Sequence, residues 1–114
     1  VFSNYYPAST NASDLIAFII DDENVVYEIQ ADDTFPVTDL FGNFDIVYTS
    51  AGSTKTGISG SELDVTTGAT NTNLPIKAID ISQDPNNSDT GAANTNVLVV
   101  IQNSIFGVKS AGLA

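Results

Sequence analysis

The feature that most constrains the fold of this chain is the absence of helical spacing among its apolar residues. No stretch keeps that spacing for three turns; short apolar or alternating runs are instead separated by clusters of Gly, Ser, Thr, Asn and Asp. Five runs are predicted to be strands: 15–20, 25–30, 43–49, 74–82 and 96–102. We therefore predict an all-β fold, a small β-sandwich or barrel of about five to seven strands with long loops, extended terminal arms and little helix.

Two of the runs are predicted to pair as a hairpin. The segment LIAFII (15–20) is joined to VVYEIQ (25–30) by the acidic turn sequence DDEN (21–24). The last run, NVLVVIQ (96–102), is nearly continuous in apolar residues, which is typical of a strand buried on both faces.

Alternation predicts which side chains of a strand share a face. In the second run Val25, Tyr27 and Ile29 share a face, because successive strand residues point to opposite sides. In the third run Phe44, Ile46 and Tyr48 share one side, and in the fourth run Leu74, Ile76 and Ala78 are predicted to point inward.

Three polar segments are predicted to be long loops: 31–42, 49–73 and 83–95. Within the first, Pro36 can begin one helical turn at most. Within the second, Ser59 and Glu62 match a capping box, but no apolar helix follows, so a tight turn is predicted there. Connections of this length often carry function.

The chain divides into an N-terminal arm (1–14), a β domain (15–107) and a C-terminal tail (108–114). The arm contains three aromatic residues, Phe2, Tyr5 and Tyr6, close to Pro7. Two interpretations stay open for them: contacts within the domain, or anchors that dock on another chain.

The charge balance excludes two classes of partner. The 114 residues include fourteen acidic residues and three lysines, with no Arg and no His, for a net charge of −11. Nucleic acid and anionic membrane surfaces both require clustered cations, which this chain lacks. The longest apolar run has six residues, far short of the ~20 that span a bilayer.

The residue types for most nucleophilic catalysis are missing. Without Cys or His, neither a Cys/His nor a Ser/His pair can form. Paired carboxylates of the glycosidase kind would need a cleft walled by aromatic residues, and the chain has no Trp. We therefore predict that the protein is not an enzyme, and keep a carboxylate-based hydrolase as the weakest alternative.

The stretch GSTKTGISGSELD (52–64) resembles a phosphate-binding loop only superficially. That loop needs Gly directly before Lys and an intact helix afterwards. Here Lys55 follows Thr54, and Gly57 and Gly60 interrupt any helix. The stretch is predicted to be a hydrophilic loop with a structural role.

Acidic turn sequences raise the question of calcium. The segments 21–24, 31–33 and 84–89 could supply the oxygen ligands that Ca²⁺ prefers, but none matches the spaced Asp-rich loop with its closing Glu. Asp and Asn also favour turns for conformational reasons. We expect no cofactor and keep structural Ca²⁺ as an alternative.

Several segments together resemble one family. The chain is similar to the structural cement (capsid decoration) proteins of tailed bacteriophages in four segments, in this order: IIDDENVVYEIQAD (19–32), GSTKTGISGSELD (52–64), TTGATNTNLPIKAIDIS (66–82) and DPNNSDTGAANTNVLVVIQNSIFG (84–107). The resemblance covers about residues 15–107. The family has a longer N-terminal half, so a short variant and a chain lacking its beginning both stay open, as does the strand count.

The resemblance implies a virion protein without enzymatic activity on the outer capsid surface. It would clamp neighbouring major-capsid subunits and form a small homo-oligomer, a trimer being favoured. The candidate interface residues are Phe2, Tyr5, Tyr6, Lys55, Ile58, Phe106 and Leu113. The alternative is a calcium-dependent adhesion module, a secreted or cell-surface β-sandwich.

Overall fold

The described part of the chain forms one five-stranded antiparallel sheet. The computed structural model describes residues 9, 11, 13–22, 24–48, 51–53, 55–87, 91–103 and 111–112. The strands are β1 (Val26–Gln30), β2 (Asn43–Val47), β3 (Glu62–Ala69), β4 (Ile76–Ile81) and β5 (Asn96–Ile101). Helix is limited, among these residues, to 3₁₀ turns at Val37–Asp39 and Pro85–Asn87. The predictions of an all-β fold and of little helix are confirmed.

The two edge strands of the sheet touch at one point. The strand order is β1-β5-β4-β2-β3, so β1 and β3 lie at the edges. Just beyond β1, Ala31 forms an isolated parallel bridge with Leu63 of β3, and the backbone N–H of Asp32 donates to the Leu63 carbonyl at 3.0 Å. The bridge therefore fixes where the two edges of the sheet meet.

One face of the sheet carries the core. Its buried apolar residues are Ala31, Phe35, Phe44, Leu63, Ile76, Ala78, Ile81, Val97 and Val99. The rings of Phe35 and Phe44 pack with centroids 5.5 Å apart and planes tilted by 52°, a favourable aromatic arrangement. Tyr27 and Ile29 of β1 both pack against this cluster, so they share a face, as the alternation of that strand predicted.

A bulge in β4 explains why its core-facing side chains are at even positions before the bulge (Ile76, Ala78) and at an odd position after it (Ile81). Ala78 pairs with Val99 and Asp80 pairs with Leu98, so Ile79 is an extra residue opposite β5. The bulge shifts the alternation by one residue, and Ala78 and Ile81 both reach the core. Strict alternation along this segment would have placed Ile81 on the other face.

The predicted hairpin of 15–20 with 25–30 is wrong. The acidic turn does form: the Asn24 N–H donates to Asp22 Oδ1 at 2.9 Å, and the Val25 N–H reaches the Asp22 carbonyl at 3.4 Å. Residues 15–20, however, lie outside the sheet and are exposed. The apolar run has the composition of a strand, but composition does not specify the strand with which it pairs.

The predicted loop 49–73 contains a strand that the sequence analysis missed. β3 occupies eight of these residues and pairs with β2. Leu63 is its one fully buried residue, because β3 is an edge strand, and its Thr and Gly content is typical of a loop. The alternation of Leu63, Val65 and Thr67 was the available signal. The structure confirms that no helix follows Ser59.

Two further strand predictions need correction. β5 is fully buried on one face, through Val97 and Val99, whereas Leu98 and Val100 are half-buried. The prediction of burial on both faces is therefore wrong, because nothing in the described chain fully covers the outer face of the sheet. β2 ends at Val47, two residues before the end of the predicted strand 43–49, and Tyr48 just beyond it is 74% exposed and does not reach the core.

The end of the chain contacts the sheet at one described point. The Gly112 N–H donates to the Thr70 carbonyl at 3.2 Å, and Lys77 Nζ donates to the Ala111 carbonyl at 2.9 Å. A Cβ at Gly112 would lie 2.6 Å from the Ala69 carbonyl oxygen. This close approach requires glycine, because any side chain would displace the backbone.

Candidate interaction surfaces

The described chain exposes more large hydrophobic residues than it buries. Nine apolar residues form the core, whereas eleven large hydrophobic residues are exposed. The exposed residues are Leu15, Ile16, Phe18, Ile19, Ile20, Val26, Val37, Phe41, Tyr48, Ile58 and Ile101. Single exposed hydrophobic residues are ordinary on protein surfaces, but clusters of them indicate contact with a partner.

An apolar concavity, which we call the slot, lies between the two edge strands. The slot is the gap between the outer edge of β1 and residues 58–62, and it has a volume of about 640 Å³. Its floor includes Tyr27, Ile29 and Ile76. Ala31 and Leu63 form a parallel bridge, so the two segments that precede these residues run side by side. The slot is the space between those segments, from the bridge back to Tyr27 and Ile58. The slot therefore opens away from the bridge.

The GSTKTG stretch (52–57) leads directly into residues 58–62, which form one wall of the slot. The Ser53 N–H donates to the Ile58 carbonyl at 3.0 Å, and the Gly57 N–H donates to the Ser53 carbonyl at 2.7 Å. Gly57 has a φ of 69°, which glycine adopts without strain. These contacts build a tight hairpin loop that places Ile58 at the slot, where it is 69% exposed.

A second apolar surface lies at the other end of the sheet. We call it the end patch: a depression of about 460 Å³ lined by Val37, Leu40 and Ile81 among others, together with Phe41, which follows Leu40 on the same loop. Val37 is 58% exposed and Phe41 is 46% exposed. Ile76 lines the slot and Ile81 lines the end patch, so the two surfaces lie at opposite ends of β4.

Two of the predicted interface residues fall in the described chain. Ile58 lines the slot, and Lys55 is exposed on the hairpin loop that ends at Ile58. The others lie outside the described residues: Phe2, Tyr5, Tyr6, Phe106 and Leu113. Residues 15–20 and the end patch were not predicted as interaction surfaces. The signal available for the first was an uncharged apolar run between Asp14 and Asp21.

The acidic turn sequences act as local structural groups where the structure describes them. Asp33 Oδ1 accepts from the Thr34 N–H at 2.7 Å, and Asp84 Oδ1 accepts from the Asn86 N–H at 2.9 Å. These contacts are typical of Asp in turns. Within the described ranges no group of three or more carboxylates is placed to hold a metal ion.

Asp32 joins the two edge strands through both its backbone and its side chain. Its Oδ1 accepts from the Val65 N–H at 3.0 Å, beside the backbone hydrogen bond to Leu63. Asp32→Ala should lower the free energy of unfolding by about 1–2 kcal/mol, because the Val65 N–H loses its acceptor. Asp32→Asn keeps an oxygen at this position and should change stability far less. Urea unfolding measures both, and equal losses would contradict a role through this hydrogen bond.

No helix in the described part of the chain is long and apolar enough to cross a membrane. Comparisons with protein-family models, with curated proteins and with solved structures found no significant match.

Proposed function

We propose that this protein is a non-enzymatic virion component that decorates and cements the outer face of a phage capsid. In this role it binds the major capsid protein and clamps neighbouring subunits together. The proposal includes a small homo-oligomer, with a trimer favoured. Support from the sequence comes from the ordered similarity of residues 15–107 to capsid decoration proteins and from a net charge of −11.

The observation that carries the proposal is the excess of exposed over buried large hydrophobic residues. A stable interface buries about 800 Å² per partner. The slot and the end patch lie at opposite ends of β4, so one small domain presents two separate contact surfaces. A protein that clamps neighbouring subunits needs at least two such surfaces. Many individually weak interfaces together give an effectively permanent attachment through multivalency.

The end patch is the surface that we assign to the capsid. Its Asp80 and Asp84 border the depression, so a complementary capsid surface would combine apolar and basic side chains. Phe41 has a φ of 66°, and its N–H donates to the Ala78 carbonyl at 2.7 Å. This backbone contact fixes the position of the main chain from which the Phe41 side chain projects.

Co-sedimentation with phage heads stripped of accessory proteins tests this assignment. The wild-type chain should bind saturably at a fixed ratio to the major capsid protein. The double variant Val37→Ala/Phe41→Ala should bind at least tenfold more weakly, because interface anchors contribute about 1 kcal/mol or more each. Val26→Ala, which truncates an exposed valine on β1, is the matched control. Absence of wild-type binding would overturn the proposed function.

One observation favours the alternative of a calcium-dependent adhesion module. Asp80 and Asp84 both line the same depression of the end patch, and carboxylate oxygens are the ligands that Ca²⁺ prefers. A chelator should then lower the melting temperature by about 10 °C or more, because an ion bound to the native state stabilises it by mass action. A melt that is insensitive to chelator argues against this alternative.

A further inference from the structure

Among the described residues, the most exposed apolar segment is 15–20, LIAFII. Phe18 is 83% exposed, and Ile16 and Ile19 are similarly open to solvent. Five large side chains at these exposures amount to roughly 600 Å² of apolar surface, the upper end of what one patch on a soluble monomer shows. The segment carries no charge, and acidic residues border it on both sides. Such a surface is costly to leave in water.

The slot presents a sheet edge beside an apolar floor. The Ala31 N–H donates to the Thr95 carbonyl at 2.9 Å, so the peptide groups of Ala31 point towards β5. Because these directions alternate along an antiparallel strand, the peptide groups of Glu28 and Gln30 point towards the slot. Asp32, next in this series, donates to Leu63 at the closed end. An edge of this kind is a template for an added strand.

The dimensions of the segment match those of the slot. Six extended residues span about 20 Å, and the five residues of β1 span about 17 Å. In an extended conformation Ile16, Phe18 and Ile20 share one face. That face would lie over Tyr27 and Ile29 on the slot floor, while the backbone pairs with the outer edge of β1.

We propose that residues 15–20 of one copy of this chain insert as an added strand into the slot of another copy. In its own chain the segment lies outside the sheet, although five residues separate it from β1. Two copies that exchange these segments would bury roughly 2,000 Å² in total, at or above the size of a stable interface. The inference concerns self-association and does not depend on capsid binding.

Charge adds a second expectation. Glu28 and Glu62 border the slot, and Asp14 and Asp21 border the segment. These like charges approach one another when the segment inserts, so association should strengthen with salt. The Debye length falls from about 14 Å at 50 mM to about 4 Å at 500 mM ionic strength, which screens the repulsion. An association driven by opposite charges would show the reverse dependence.

Disulfide trapping between two single-cysteine variants tests the exchange directly. The chain has no cysteine, so Ala17→Cys and Ser61→Cys can be mixed without competing thiols. Ser61 lines the slot. Mild oxidation should give the mixed disulfide at least tenfold faster than a mixture of Ala17→Cys with Thr38→Cys, whose thiol lies on the end-patch loop. Equal rates in the two mixtures would overturn the proposal.

Two further measurements separate exchange from its rivals. Sedimentation velocity should show an oligomer for the wild type and at least tenfold weaker association for Phe18→Asp. At a dilution where both proteins are monomeric their unfolding midpoints should agree, because Phe18 is exposed. A wild-type monomer at 100 μM overturns the proposal. The proposal is also overturned if an Ala17→Cys/Ser61→Cys double variant forms its disulfide within a monomer. The same holds if the backbone amides that line the slot become protected from hydrogen exchange only when phage heads are added. Heads that fail to bind an exchanging oligomer would refute the proposed function alone.

Discussion

Phe44→Ala is expected to lower the free energy of unfolding by about 3–5 kcal/mol, the range typical of truncating a fully buried phenylalanine. Phe44 is fully buried and packs on Phe35. Its ring also contacts the backbone of β3, since a Cβ at Gly68 would lie 2.8 Å from Phe44 Cε1. Removal of the ring therefore leaves a cavity between β2 and β3 that a rigid sheet cannot refill.

Thermal and urea unfolding measure this effect. A domain of this size has a total stability of about 5–15 kcal/mol, so the variant should melt well below the wild type, by about 10 °C or more. Tyr48→Ala is the matched control, because Tyr48 is an aromatic residue one position beyond the end of β2 and is 74% exposed. Its stability should stay within about 0.5 kcal/mol of wild type. A loss below 1 kcal/mol for Phe44→Ala would contradict the core as described.

Asn87→Ala is expected to cost about 2–3 kcal/mol, because one side chain closes the connection between β4 and β5. Its Nδ2 donates to the carbonyls of Ser82 and Asn96, both at 3.0 Å. Its Oδ1 accepts from the Asn96 N–H at 2.9 Å. In the variant the Ser82 carbonyl, the Asn96 carbonyl and the Asn96 N–H, all partly buried, lose their hydrogen bonds to the Asn87 amide. The hydrogen bond from the Ser82 N–H to the Asn96 carbonyl is kept.

Hydrogen exchange at the Asn96 amide provides a local readout of the same variant. The amide should exchange markedly faster in Asn87→Ala, because the connection opens without global unfolding. Asn87→Asp should also be destabilised, since its carboxylate would face two carbonyl oxygens instead of donating to them. Asn86→Ala, at an exposed neighbour in the same turn, should leave both stability and exchange unchanged. An Asn96 amide that stays protected in Asn87→Ala would show that the side chain does not hold this connection.

The candidate surfaces could be predicted from the sequence only in part. Ile58 was singled out and lies at the slot, but its place there depends on the hairpin loop from Ser53 and on the bridge between Ala31 and Leu63. The end patch was not predicted, because Val37 and Phe41 lie on one loop where the apolar residues show neither helical nor strand periodicity. Surfaces that combine distant segments leave no local signal.

Local pattern alone determined the class of the fold and most of its strands. Alternation located β1, β2 and β4, a nearly continuous apolar run located β5, and the acidic sequence at Asp22 gave a turn. These features depend on side-chain size, polarity and backbone preference within a few residues, which the sequence contains directly.

Only the tertiary structure decided which segments pair. It placed β3 inside a predicted loop, left residues 15–20 outside the sheet, and inserted a bulge at Ile79 that turns Ile81 towards the core. The physical reason is that a strand is stabilised by its neighbours, and those neighbours are distant in sequence. β3 pairs because β2 offers it a partner, whereas LIAFII has the stronger strand composition and no place in the sheet of its own chain.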